Sequence, residues 1–149
     1  MTIAVDFDGT IVEHEYPKIG QERPFATDTL KMLIKDRHKL ILWTVREGKL
    51  LDEAVEWCRQ RGVEFYAINR DYPEEKPENN PHSTRKLNSI DIWIDDRNVG
   101  GLPDWGTIYR MVTQRRSWHD IIDEELHSSQ LSSYEDMHPK KKKPWWKQF

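Results

Sequence analysis

Cysteine is almost missing from this chain of 149 residues: Cys58 stands alone, which excludes an internal disulfide and gives no sign of an oxidising compartment. Long apolar runs are missing as well. No stretch approaches the roughly 18 apolar residues of a membrane span, and Asp6 falls where a signal peptide would carry its apolar segment. The length leaves little room for a second generous domain, yet a compact chain of this size buries about two-thirds of its unfolded surface and needs no covalent staple. The expectation is a cytoplasmic protein without a membrane span.

Positive charge is scarce except at one end. Residues 138–149 (HPKKKKPWWKQF) hold five lysines and no acid, so residues 1–137 carry 18 basic against 26 acidic side chains, a net −8. An acidic body is a poor surface for nucleic acid, whose binding depends on neutralising phosphates, so nucleic acid is not an expected partner. The end reads as a separate basic tail, 128–149, of the kind that is usually solvated. Trp145 and Trp146 come after its lysines, and exposed aromatics generally touch something. A homo-oligomer in which residues after about 115 join the contact is the expectation drawn from them.

Apolar patterning predicts alternating strands and helices. Thr2–Phe7, His38–Thr44, Val63–Ile68 and Ile90–Asp95 read as short buried strands. Helices are expected from Thr27, as N-cap, to Arg37, over Glu47–Gln60, from Pro103 through Val112, and over Ser117–Leu126. Gly62 is a natural stop for the second of these. Residues 8–24, with Gly9, Pro17, Gly20 and Pro24, suit turns and a small hairpin, while Pro73, Pro77 and Pro81 make 69–85 a long loop. The order argues for an α/β, Rossmann-like three-layer fold with a mainly parallel central sheet.

In such sheets ligands bind beyond the carboxyl ends of the strands. Asp6 and Asp8, then Thr44, then Asp95 and Asp96 all fall at those ends. Four carboxylates on one edge repel one another unless a cation joins them, and an oxygen-only donor set suits a hard ion such as Mg²⁺. Beside such an ion one carboxylate can attack an electrophilic phosphorus, and a second, two residues along, can move the proton of the leaving oxygen.

Asp6-Phe7-Asp8-Gly9-Thr10, then Leu42-Trp43-Thr44, then Lys86, then Ile94-Asp95-Asp96 resemble, in order, the four signature motifs of the haloacid dehalogenase-like (HAD) superfamily, over roughly residues 1–113. The resemblance implies Asp6 as a nucleophile that becomes an aspartyl-phosphate and Asp8 as general acid and base, with its backbone carbonyl on Mg²⁺. It implies Thr44 and Lys86 as phosphate ligands, and Asp95 and Asp96 as metal ligands with Asp6. Arg85 beside Lys86 is the other cation for the third motif. An acid at the position of Asp8 is the mark of phosphatases and phosphomutases in that superfamily. His14 in the 8–24 segment and Arg46 past Thr44 are candidate substrate contacts; Arg46 serves equally well as partner of a surface acid.

Spacing leaves no room for an inserted cap domain, so the chain resembles the capless members, here as a phosphohydrolase domain over 1–127. The expected activity is Mg²⁺-dependent hydrolysis of a small phosphorylated metabolite. Two alternatives stand beside it: a phosphatase acting on a macromolecular phosphate, and a non-catalytic phospho-acceptor like the response-regulator receivers. Receivers carry their acid pair early and the acceptor on a later strand, the reverse of the order found in this chain.

Overall fold

A computed structural model describes residues 1–76 and 87–137, with side chains described to Ser129. The elements in chain order are β1 (Thr2–Val5), α1 (Ala26–Lys35), β2 (Lys39–Leu42), α2 (Gly48–Gln60), β3 (Ala67–Ile68), β4 (Ile92–Ile94), α3 (Trp105–Gln114) and α4 (Trp118–Met137). The four strands form one sheet in the order β3-β2-β1-β4, every pairing parallel. This is the α/β, Rossmann-like class that the patterning predicts.

Burial is set by that order. Flanked on both edges, β1 buries Ile3, Ala4 and Val5 in succession, as a strand covered on both faces must. β2 buries Leu40, Ile41 and Leu42 in the same way. The registers set Val5 level with Leu42 on one side and with Ile94 on the other. The three strands therefore end at the same height, and the loops leaving them meet at one edge of the sheet.

Several boundaries differ from expectation, each for a local reason. Thr27 is not an N-cap: α1 starts behind Phe25, whose φ is 64°, and the Thr27 N–H and hydroxyl both donate to Glu22 Oε1, 2.9 and 2.5 Å away. Glu22 thus satisfies a donor of the first helical turn from outside the helix. α3 opens at Asp104, not Pro103, because the Asp104 carboxylate accepts from the Thr107 N–H and hydroxyl at 3.0 and 2.7 Å. Those two bonds, the hydroxyl's first, hold its carboxyl below the ordinary range. β3 is an edge strand that pairs only through Ala67 and Ile68, shorter than the run Val63–Ile68. Trp93 is 39% exposed on the opposite edge strand, packing edge-on against Trp43 with centroids 4.8 Å apart, so it is not the core residue its strand suggests.

The chain divides into two compact units, Met1–Tyr109 and Arg110–Phe149. Within the second, Glu124 receives Arg116 Nη1 at 2.5 Å and faces Arg110 Nη2 at 3.7 Å, while Ser117 and Asp120 cap the start of α4. α4 continues to Met137, so a boundary at 127 cuts a helix and is not a domain limit. Trp145 and Trp146 lie outside the described residues. Among the described residues no helix is long and apolar enough to cross a membrane.

Candidate active site

The strand order reverses direction at β1. From β1 the chain moves outward through β2 to β3, then returns to place β4 on the other side of β1. Where a parallel sheet switches in this way, the loops leaving the two adjacent strands part and open a crevice at their carboxyl ends. Asp6 leaves β1 there, its N–H donating to Ile94 O at 3.0 Å, and Asp95 and Asp96 leave β4 beside it.

Carboxylate oxygens of Asp6, Asp95 and Asp96 all lie within 4.8 Å of one another. Thr10, fully buried, ties the two loops: its hydroxyl donates to Asp6 Oδ2 at 3.2 Å and accepts from the Asp96 N–H at 3.1 Å. The Trp105 indole N–H, from α3, donates to Thr10 O at 3.2 Å and holds it in place. Gly9 completes the approach. Its φ is +86°, and a Cβ there would collide with Asp96 Oδ2, so only glycine lets the loop pass.

Burial dominates the electrostatics of this cluster. It pushes the Asp6 carboxyl up from 3.8 to about 7, the charges of Asp95 and Asp96 adding to the rise while the Phe7 N–H and Thr10 hydroxyl oppose it. Asp96 is raised too, by burial first and then by Asp95. Asp96 Oδ1 is buried with no hydrogen-bond partner among the described residues. The raised carboxyls of Asp6 and Asp96, the latter with an orphaned oxygen, form with Asp95 a donor set suited to a cation. Oxygen ligands alone fit a hard ion such as Mg²⁺.

Asp8 stands apart from the other three. Both its oxygens are taken by Arg46: Nε reaches Oδ2 and Nη2 reaches Oδ1, each at 2.7 Å. Its carboxylate is therefore not in the cluster of Asp6, Asp95 and Asp96, the group among the described residues that could hold a cation. Arg46 itself corrects an expectation. It is 0% exposed and spends its donors inside the protein, so it is neither a substrate contact nor the partner of a surface acid. An arginine two residues past Thr44 looks like a surface cation in one dimension; only the fold brings Asp8 to it.

Thr44 sits beyond β2, 2% exposed, its hydroxyl accepting from the Arg46 N–H at 3.1 Å. Asn69 fixes it, accepting from Thr44 N–H at 2.8 Å and donating to Thr44 O at 3.0 Å from a backbone with φ of 51°. Sequence reasoning missed Asn69, although its place just past β3 matches that of Thr44 past β2, and asparagine is the side chain most tolerant of left-handed backbone. His14 is exposed on the 8–24 segment, which forms the expected small hairpin-like flap through isolated bridges of Val12 with Asp8 and Glu22. Lys86 and Arg85 lie outside the described residues. Among the described residues that flank them in sequence, Asp71 accepts from the Asn88 N–H at 2.9 Å and the Ser89 N–H at 3.3 Å.

No protein-family model matches the chain, and no curated protein does. A solved structure, that of a conserved protein coded by a locus from Bacteroides thetaiotaomicron, is similar: 64% identical, with a TM-score of 0.74, over 81% of this chain and 96% of that one. The chain belongs to that protein's family. The likeness spans nearly the whole neighbour and carries the same small α/β architecture.

Chemically, the arrangement offers a half-buried carboxylate, two further carboxylates able to share a cation with it, an anchored hydroxyl, and a fourth carboxylate gripped by an arginine.

Proposed function

We propose that the protein is a cytoplasmic, Mg²⁺-dependent phosphomonoester hydrolase of the HAD type that acts on a small phosphorylated metabolite through an aspartyl-phosphate on Asp6. The observation that carries it is the meeting of Asp6, Asp95 and Asp96 at the sheet's switch point, with Asp96 Oδ1 buried and without a hydrogen-bond partner among the described residues. Bound there, Mg²⁺ would offset the charge of the carboxylates and of a phosphoryl group.

The chain's own residues supply the rest. Asp6 attacks phosphorus and the ester P–O bond breaks; the leaving oxygen takes its proton from Asp8. Water then attacks the acyl phosphate, giving its proton to Asp8, which frees phosphate and restores the Asp6 carboxylate. Thr44, pinned by Asn69, holds a hydroxyl donor for a non-bridging oxygen. Lys86 takes the matching cationic place by resemblance. The net −8 of residues 1–137 favours a small substrate over a polyanion.

The test is turnover of 4-nitrophenyl phosphate. Activity should need added Mg²⁺, vanish in excess chelator, and fall at least 10³-fold in Asp6→Asn, which keeps the shape and removes the nucleophile. Near-full activity in either condition would overturn the proposal.

A further inference from the structure

We propose that Arg46 is the positioning residue for Asp8 and that it joins the acid/base carboxylate to the 8–24 flap, so that the two are set in place together. The inference rests on the phosphohydrolase reading for the role of Asp8, and on geometry for the rest. The Arg46 fork grips both Asp8 oxygens at 2.7 Å. Its outer nitrogens turn the other way: Nη1 donates to Pro17 O at 3.1 Å and Nη2 to Lys18 O at 2.8 Å. Phe7 and Tyr16 add ring contacts, with centroids 5.2 and 5.3 Å from the guanidinium carbon.

The flap's base is closed by its own backbone, Glu13 N–H to Gln21 O at 2.7 Å and Arg23 N–H to Ile11 O at 2.9 Å. Its tip is exposed from Glu13 to Lys18, and the carbonyls of Pro17 and Lys18 are met by Arg46 from outside the flap. The Arg46 N–H also holds the Thr44 hydroxyl. One buried side chain thus touches the acid/base, the flap and, through its backbone, the phosphate-binding hydroxyl. Only a planar fork can do this; an ammonium is a point charge with three donors and cannot span two carboxylate oxygens and two carbonyls.

Arg46→Lys is the informative variant, since it keeps the buried charge opposite Asp8; Arg46→Met is made in the Asp8→Asn background, where no carboxylate is left unpaired. Full-length proteins with Mg²⁺ are assayed on 4-nitrophenyl phosphate and glycerol phosphate, and trypsin cleavage after Lys18 is followed by mass. In Arg46→Lys we expect kcat on the alkyl ester to fall at least tenfold and on the aryl ester less than threefold, because a good leaving group needs little from Asp8. KM should stay within threefold on both, and cleavage after Lys18 should quicken at least fivefold. Arg46→Met should add less than twofold to the loss that Asp8→Asn causes alone. Equal losses on both esters, an added loss in the double variant, or unchanged cleavage after Lys18 would overturn the inference. A wild type that turns over neither ester instead removes the phosphohydrolase reading and the acid-positioning role with it, and the tie to the flap is then decided by cleavage alone.

Discussion

Replacing Asp6 by Asn should stabilise the metal-free protein at high pH, although it removes the proposed nucleophile. Burial raises the Asp6 carboxyl from 3.8 to about 7. A carboxyl whose folded pKa lies above its unfolded value contributes stability that is complete below about pH 3.8 and lost as the pH climbs through about 7. Roughly three units at about 1.4 kcal/mol each set a ceiling of about 4 kcal/mol. The site opens to water at the sheet edge, and screening there reduces this to about 2 kcal/mol. Asparagine escapes the penalty and its Oδ1 still accepts from Thr10, whose hydroxyl lies 3.2 Å from Asp6 Oδ2. Thermal unfolding tracked by circular dichroism in excess chelator should place Asp6→Asn about 6 °C above wild type at pH 8, with about a third of that gap at pH 5. Saturating Mg²⁺ should raise the wild type by about 3 kcal/mol at a hundredfold excess over its Kd and leave the variant nearly unmoved, reversing their order. A variant that melts below wild type at pH 8 in chelator, or a gap that does not change with pH, would refute the reasoning.

Gly9→Ala should cost about 1–2 kcal/mol from its positive φ alone and, by driving Cβ against Asp96 Oδ2, abolish stabilisation by Mg²⁺; differential scanning calorimetry with and without the ion reads both. Asn69→Ala removes both bonds to the Thr44 backbone, and we expect about 2 kcal/mol lost in urea unfolding and a KM for phosphate esters raised severalfold. Ending the chain at Met137 leaves Asp6, Thr44 and Asp95 in place and should preserve turnover of a small ester, while sedimentation of the full chain should show an oligomer that the shortened one loses.

Part of the fold and of the site is legible from residue order alone. A strand buried on both faces needs consecutive apolar residues, and Ile3-Ala4-Val5 announces one without reference to anything distant. Acids directly behind β1 and β4 place Asp6, Asp95 and Asp96 at sheet ends, because a chain leaving a parallel strand must emerge at its carboxyl edge. Helix spacing likewise marks Ala54 and Cys58 as buried and Gly62, with a φ of +81°, as the stop after α2.

What the tertiary structure decided is partnership. That Asp8 turns to Arg46 and away from the acid cluster depends on a contact between residues 38 positions apart, and no local pattern encodes it. The same holds for Asn69, 25 positions from the Thr44 it braces, and for Thr10, which accepts from an N–H 86 positions on. The start of α1 differs from expectation for this reason too, since the Thr27 donors find Glu22 across a turn. Periodicity reports which face of an element is apolar; it carries no information on which buried polar group will find which. Those pairings form only when the sheet order β3-β2-β1-β4 brings distant loops to one edge, where each buried donor or carboxylate must be satisfied by whatever the fold has placed within reach.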